Sequence, residues 1–260
     1  MSVFIKKETI QRLLKDVKEI IRNPLTDQGI YYAHDDTDIL KGYAMIVGPS
    51  DTPYFGGYYF FEFVFPVDYP HSPPKVKYCT NGNNIRFNPN LYACGKVCVS
   101  LLNTWRGDQW TSCQSISTIL LTLCTLLCKN PLLNEPGVNK FHIDMDHYNQ
   151  IIEFANLNIA VCDILSKKEG VYLPFFENFY PFMKELFLKN YEKLLEFASK
   201  KNNELKNTEV NFKTTFYSMN INVDYNVVMN RLKSTFESTF ESTFESTFGK
   251  GGAKLYKTLG

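Results

Sequence analysis

The sequence predicts an α+β fold: one leading helix, a meander of short antiparallel strands, and a helical second half. Three features carry this expectation. Apolar residues recur at helical spacing near the start of the chain, strand-like runs broken by turn residues follow, and helical periodicity returns after Trp110. Short strands joined by short connections argue for a meander, because parallel strands need a crossover of about a dozen residues or more.

The leading helix is read from Ile10, Leu13, Leu14, Val17, Ile20 and Ile21, which form one apolar stripe. Asn23-Pro24 stops it, since the residue before proline is driven out of the α region. Lys15 and Lys18, with Arg12 and Lys7 nearby, give the opposite face a basic character, either solvated or a docking surface. Strand-like runs follow at residues 43–47, 58–65 and 76–79, punctuated by GPSDTP and GNNIRFNPN. The segment PVDYPHSPPKV holds four prolines in eleven residues. A central strand does not tolerate that loss of donors, so an extended loop after an edge strand is expected. A fourth strand completes the sheet, although no long alternating run precedes Cys98.

In the second half, Thr111 or Ser112 is expected to cap a helix running to Cys128, with Ile116, Ile119, Leu120, Leu123, Leu126 and Leu127 mostly inward. Periodicity returns over residues 148–165, again after Pro181 through Leu186, Phe187, Tyr191, Leu194 and Leu195, and briefly over 225–232. Residues 234–248 repeat STFE three times and finish STF. A four-residue period advances about 40° per repeat on a helix of 3.6 residues per turn, so the Phe would spiral off any single face. The expected organisation is a core domain over residues 1–166, a helical extension over 167–233, and a low-complexity, flexible tail over 234–260. The tail's other reading is a Phe-bearing peptide that docks on a partner.

The 260 residues carry 28 Lys+Arg against 27 Asp+Glu, a net charge of +1. That balance gives no electrostatic reason to expect a nucleic-acid or acidic-membrane partner. The apolar run 116–128 is too short for a membrane span, and the basic N-terminal stretch lacks the apolar region of a secretory signal. Seven cysteines, scattered and without paired CxxC units, point to reduced thiols in a cytosolic or nuclear setting.

Chemistry concentrates in FNPNLYACGKVCVSLLNTWRGDQW, residues 87–110. Cys98 there is either a nucleophile or a small buried hydrophobe. A cysteine nucleophile needs exposure, room for an acyl carbonyl and a donor for the developing oxyanion, and the Asn90 side-chain amide is a candidate for that donor. Asn-Pro is equally common as plain turn chemistry.

These pieces resemble ubiquitin-conjugating enzymes. The resemblance rests on the helix at 10–21, the PxxYPxxPP loop from Pro66 to Pro74, Asn88-Pro89-Asn90, a cysteine eight residues after Asn90, and Trp110 ahead of a helix. It covers roughly residues 4–165. NPN in place of HPN, GKVCVSLLNTW, the RGDQ before Trp110 and NEPG from Asn134 to Gly137 are similar to the Z-type branch and to the conjugating domains of giant hybrid ligases. AVCDIL and VDYNVVMNRL extend the Z-type resemblance weakly to about residue 233.

The resemblance implies a conjugating fold and acyl transfer by relay. A ubiquitin-activating enzyme would pass ubiquitin or a ubiquitin-like protein to Cys98 as a thioester, and a lysine amine or a ligase cysteine would then take it. Asn90 matches the family's loop asparagine, read as oxyanion donor or as loop brace. Glu135 corresponds to an acidic gate that helps the lysine lose its proton, or else belongs to a capped turn. Pro66, His71 and Ser112 fall on the surface that ligases grip; His71 and Ser112 depart from the usual residues there, and the ligase is unknown. No metal or organic cofactor is implied, ATP being used by the activating enzyme.

Two other readings stand beside this one. A cysteine hydrolase would need a histidine base, and His34, His71, His142 and His147 all lie outside the Cys98 motif. A catalytically inactive conjugating-enzyme-like scaffold would bind ubiquitin or a ligase without acylation. The region from about 174 to 233 is either a recognition element or a buttress on the core.

Overall fold

The structure is a computed structural model that describes residues 5–248, with side chains to residue 243. Helix α1 (Lys7–Arg22) forms where the apolar stripe requires it and buries Leu13, Val17 and Ile20. Leu14 and Ile21, from the same stripe, remain exposed. The helix ends at Asn23, whose N–H returns to the Glu19 carbonyl.

Four strands make one antiparallel sheet in the order β1 (Ile30–His34), β2 (Lys41–Val47), β3 (Tyr58–Val64) and β4 (Lys75–Tyr78). The meander is as expected, with two corrections. The strand missing from the sequence reading precedes the others and forms an edge, while the stretch before Cys98 contributes only isolated bridges, among them Lys77 with Lys96 and Leu91 with Val97. The strand ahead of the proline-rich loop is central, not an edge, because β3 pairs with both β2 and β4. The prolines fall after β3 ends, where no ladder donor is lost.

Both faces of β3 are covered, which explains its unbroken apolar run. On one face Tyr59 donates to Asn156 Oδ1 at 2.7 Å and Phe61 packs against Tyr78. On the other, Phe60 stacks on Phe176 and Tyr58 donates to the Met183 carbonyl. Phe176 and Met183 belong to the extension, so the extension supplies the sheet's second layer. At β3's entry, a Cβ on Gly57 would stand 1.9 Å from Asn156 Oδ1, so only glycine admits that side chain.

Helix α2 (Ile116–Leu126) starts later than expected. Its N-cap is Ser115, which forms a capping box with Thr118, and not Thr111 or Ser112. Helix α3 (Met145–Ala155) runs into a π-helical stretch, Asn156–Asp163, from which the Asn156 amide reaches the Phe55 carbonyl as well as Tyr59.

The extension comprises a 3-10 segment (Pro174–Phe179), helix α4 (Tyr180–Glu204), a hairpin of β5 (Val210–Lys213) and β6 (Asn220–Val223), and helix α5 (Tyr225–Phe248). The extension is helical as expected, and the hairpin between α4 and α5 is an addition the sequence reading did not include. The expected flexible tail is corrected over residues 234–248, which continue α5; residues 249–260 lie outside the described residues. Inward positions on α5 pass from Tyr225, Val228 and Leu232 to Thr235 and Thr239, all buried. Phe236 stacks on Tyr191 of α4 at 4.0 Å between centroids, whereas Phe240, one repeat on, is 40% exposed. The Phe positions thus drift outward as the four-residue period demands, and the threonines take over the inner face. Asp163, 1% exposed, ties α5 to the core through Arg231 at 2.5 Å and is also paired with Lys168.

Candidate active site

The turn that carries Asn90 is held from beneath by Asn88. This side chain is fully buried; its Oδ1 accepts the Asn90 N–H at 2.9 Å, and its Nδ2 donates to Leu126 O at 2.8 Å and Tyr54 Oη at 3.1 Å. Tyr54 in turn donates to the Phe87 carbonyl. An asparagine suits the position because it supplies an acceptor to its own turn and donors to the end of α2 together. Arg86 closes the turn's other side, donating to the carbonyls of Asn88 and Pro89 with its guanidinium 3.3 Å from the centre of the Tyr92 ring.

Asn90 and Cys98 are clamped reciprocally. The Cys98 N–H donates to Asn90 O at 2.9 Å, and Asn90 Nδ2 donates to Cys98 O at 2.6 Å. Between them the chain reverses at Gly95, with φ of +90°, where its carbonyl accepts the Tyr78 N–H from β4. A Cβ there would lie 2.9 Å from Lys77 and 3.0 Å from the Tyr78 carbonyl, so glycine is required by both space and conformation.

Cys98 itself is buried, 3% exposed, although a cysteine nucleophile needs access to its substrate. Its thiol donates to the Thr104 carbonyl at 3.0 Å, and the Thr104 hydroxyl bonds back to the 97–99 segment. The loop that supplies Thr104, residues 103–109 with Trp105, is exposed. Cys98, Asn90 and Glu135 line one shallow cavity of about 30 Å³, together with Pro89, Tyr92, Trp105, Asn134 and Pro136. None of the four histidines is in that lining, which counts against a hydrolase, whose thiol would need a base beside it.

Three residues at this site were not found from the sequence. Thr104 and Arg86 brace the loops. Tyr217, from the turn between β5 and β6, donates its hydroxyl to Glu135 Oε2. Burial, reinforced by that carboxylate, pushes the Tyr217 hydroxyl well above the usual phenol range.

The expected ligase-contact residues lie on two loops joined to α1. Trp110 donates to the Pro70 carbonyl at 2.7 Å, and Arg12 donates to the carbonyls of Ser112 and Gln114 while bridging Asp16. Asp16 also accepts from Tyr69. His71 and Ser112 are exposed, and Pro66 is half-buried.

This geometry coincides with a family match. Residues 12–156, more than half of the chain, match the model of the ubiquitin-conjugating enzyme family. The chain belongs to that family. Its helix, four-stranded antiparallel sheet and following helices are the family's α+β conjugating domain. Among similar proteins, ubiquitin-conjugating enzyme E2 Z of Homo sapiens is 42% identical over 164 residues, covering 62% of this chain and 46% of that protein. E2 Z of Danio rerio is 41% identical over 189 residues, covering 72% of this chain and 56% of that one. The human dual E2 ubiquitin-conjugating enzyme/E3 ubiquitin-protein ligase BIRC6 is 46% identical over 109 residues, 40% of this chain and 2% of that protein. These similarities place the chain nearest the Z-type branch, and it spans about half the length of the E2 Z proteins it matches.

Proposed function

We propose that this conjugating domain carries ubiquitin or a ubiquitin-like protein as a thioester on Cys98 and passes it to lysine amines or to a ligase cysteine. The observation that supports this most directly is the shared cavity: the Cys98 sulfur, the Asn90 amide and the Glu135 carboxylate border one space, with Asn90 bonded to the backbone of Cys98. In the loading step Cys98 Sγ attacks the activating enzyme's thioester carbonyl. A new S–C bond forms, the old one breaks, and the Cys98 proton leaves with the departing thiolate. In discharge an amine attacks the acyl carbon, a C–N bond forms, and Cys98 departs as thiolate to be reprotonated from solvent.

Asn90 acts first as a brace, since its Nδ2 is committed to the Cys98 carbonyl in the resting state. Its Oδ1 is buried without a partner among the described residues, and turning the amide toward an oxyanion exchanges the bond to the Cys98 carbonyl for one to the acyl oxygen. Glu135 receives the incoming ammonium and assists its deprotonation. The chemistry calls for no metal or organic cofactor, because the driving energy resides in the thioester. His71 and Ser112 belong to the ligase-facing surface.

The burial of Cys98 favours the second reading, a scaffold that binds ubiquitin or a ligase without acylation. A charging assay with activating enzyme, ATP and ubiquitin decides between them. A reductant-sensitive adduct that vanishes in Cys98→Ala supports the relay; absence of an adduct across activating enzymes and modifiers supports the scaffold.

A further inference from the structure

The C-terminal extension reaches the Cys98 site through Glu135, one of the residues that line its cavity. The turn between β5 and β6 places Tyr217 at φ 61°, ψ 5°, with Ser218 next to it also at positive φ. Two successive residues with side chains in the left-handed region are uncommon and persist where surrounding contacts determine them. Here the contacts are explicit. Asp144, 3% exposed, accepts from Thr215 N at 2.9 Å, Thr215 Oγ1 at 2.6 Å and Phe216 N at 2.8 Å. Thr214 closes the turn by donating to the carbonyls of Met219 and Phe216.

So anchored, the Tyr217 ring lies 4.8 Å from the Arg86 guanidinium and edge-on to Tyr148 at 6.1 Å. Arg86 is the same side chain that holds the Asn88–Asn90 turn. The Tyr217 hydroxyl donates to Glu135 Oε2, and among the described residues no hydrogen bond reaches Glu135 Oε1. One carboxylate oxygen is therefore tethered by the extension and the other is left for the cavity that Glu135 shares with Cys98.

We propose that Tyr217 is a positioning residue for thioester discharge to amines: it fixes Glu135 so that the free carboxylate oxygen meets the ammonium arriving at Cys98. The proposal rests on the reading of Cys98 as acyl carrier. A glutamate on an irregular segment samples several rotamers, and holding one of them spares the reaction that ordering cost. The proton leaves the ammonium through Glu135 to solvent as the C–N bond forms and the Cys98 S–C bond breaks. A thiol acceptor is already partly thiolate at neutral pH, whereas a lysine amine is almost wholly protonated, so the effect falls chiefly on amine acceptors.

The test uses the full chain. Wild type, Tyr217→Phe, Glu135→Gln and the double variant are charged with ubiquitin, the charging is quenched, and single-turnover discharge is followed with free lysine and with free cysteine. Tyr217→Phe keeps the ring and its packing and removes only the hydroxyl. The expected result is a fall of roughly fivefold or more in the ratio of lysine to cysteine discharge rates, an order typical of lost positioning. In the Glu135→Gln background the same substitution is expected to change the ratio no further. A parallel fall in both discharge rates, a faster lysine reaction, or an equal effect in the Glu135→Gln background overturns the proposal while leaving the relay intact. Failure of the wild-type chain to charge with any modifier overturns the relay itself, and this proposal with it.

Discussion

Asn88 gives the sharpest link between stability and the site, and Asn88→Ala is the substitution that probes it. The side chain is fully buried and makes three hydrogen bonds, to the Asn90 N–H, the Leu126 carbonyl and the Tyr54 hydroxyl. At about 1 kcal/mol net for each, with buried groups left unsatisfied, the loss is about 3 kcal/mol. For a chain of this size that corresponds to a fall in Tm of roughly 6–12 °C. The substitution also frees the turn that presents Asn90, so lysine discharge is expected to slow beyond what the lost stability explains. Differential scanning calorimetry and discharge kinetics well below the variant's Tm separate the two effects. A Tm within about 2 °C of wild type, less than a 1 kcal/mol change would give, together with unchanged discharge, refutes the reasoning.

The other predictions concern the extension. Phe236→Ala removes the stack on Tyr191 and is expected to cost about 2 kcal/mol, below the range for a fully buried Phe; Phe240→Ala, at the 40% exposed position, is expected to cost less. Chemical denaturation measures both, and equal losses would mean that the drift of the repeat face has been misread. Arg231→Met leaves the buried Asp163 with only the half-exposed Lys168 and is expected to destabilise by about 3 kcal/mol, as for a broken buried pair; a neutral result in urea denaturation contradicts this. Burial alone would raise the Asp144 carboxyl, but the Thr215 hydroxyl and the N–H groups of Phe216 and Thr215 outweigh it and hold the group below its ordinary value of 3.8. A depressed folded-state value contributes stability that is present above 3.8 and is lost as pH falls through the folded value. Asp144→Asn is therefore expected to be less stable than wild type near neutrality, with the gap closing in acid; a gap independent of pH across that window argues against the three-donor anchor.

Much of the fold was legible because local patterns and packing agree. The stripe from Leu13 to Ile20 could satisfy only a helix lying on a core, and the run 58–65 could be only a strand. What the run could not show was the partner on its second face, since Phe176 and Met183 come from more than a hundred residues downstream. The edge strand Ile30–His34 escaped because its IYYAH pattern is half-buried and does not alternate. Ser115 carries a cap signal, a serine directly before Ile116 with Thr118 three residues on, and Thr111 and Ser112 are of equally good cap-forming type. At the site, Cys98 and Asn90 stood out as candidates from their residue types and were sharpened by family resemblance, Glu135 came through the resemblance alone, and the structure brings all three to one cavity. Tyr217 had no such signal: it is 82 residues from Glu135, in a turn with no recognisable motif. The helical course of the first part of the tail, to residue 248, has a physical reason too. A four-residue period does carry phenylalanine off the inner face, but the repeat has threonine beside it, and Thr235 and Thr239 fill the positions that phenylalanine leaves.

The central claim is that Cys98 is the acyl carrier, and the most direct measurement is made on Cys98→Ser. Incubated with activating enzyme, ATP and ubiquitin, this variant is predicted to form an adduct that resists thiol reductant, is cleaved by mild alkali as an ester is, and maps by peptide mass spectrometry to residue 98. An adduct mapped to Cys94 or another residue, or wild-type charging that survives in Cys98→Ala, would contradict the account.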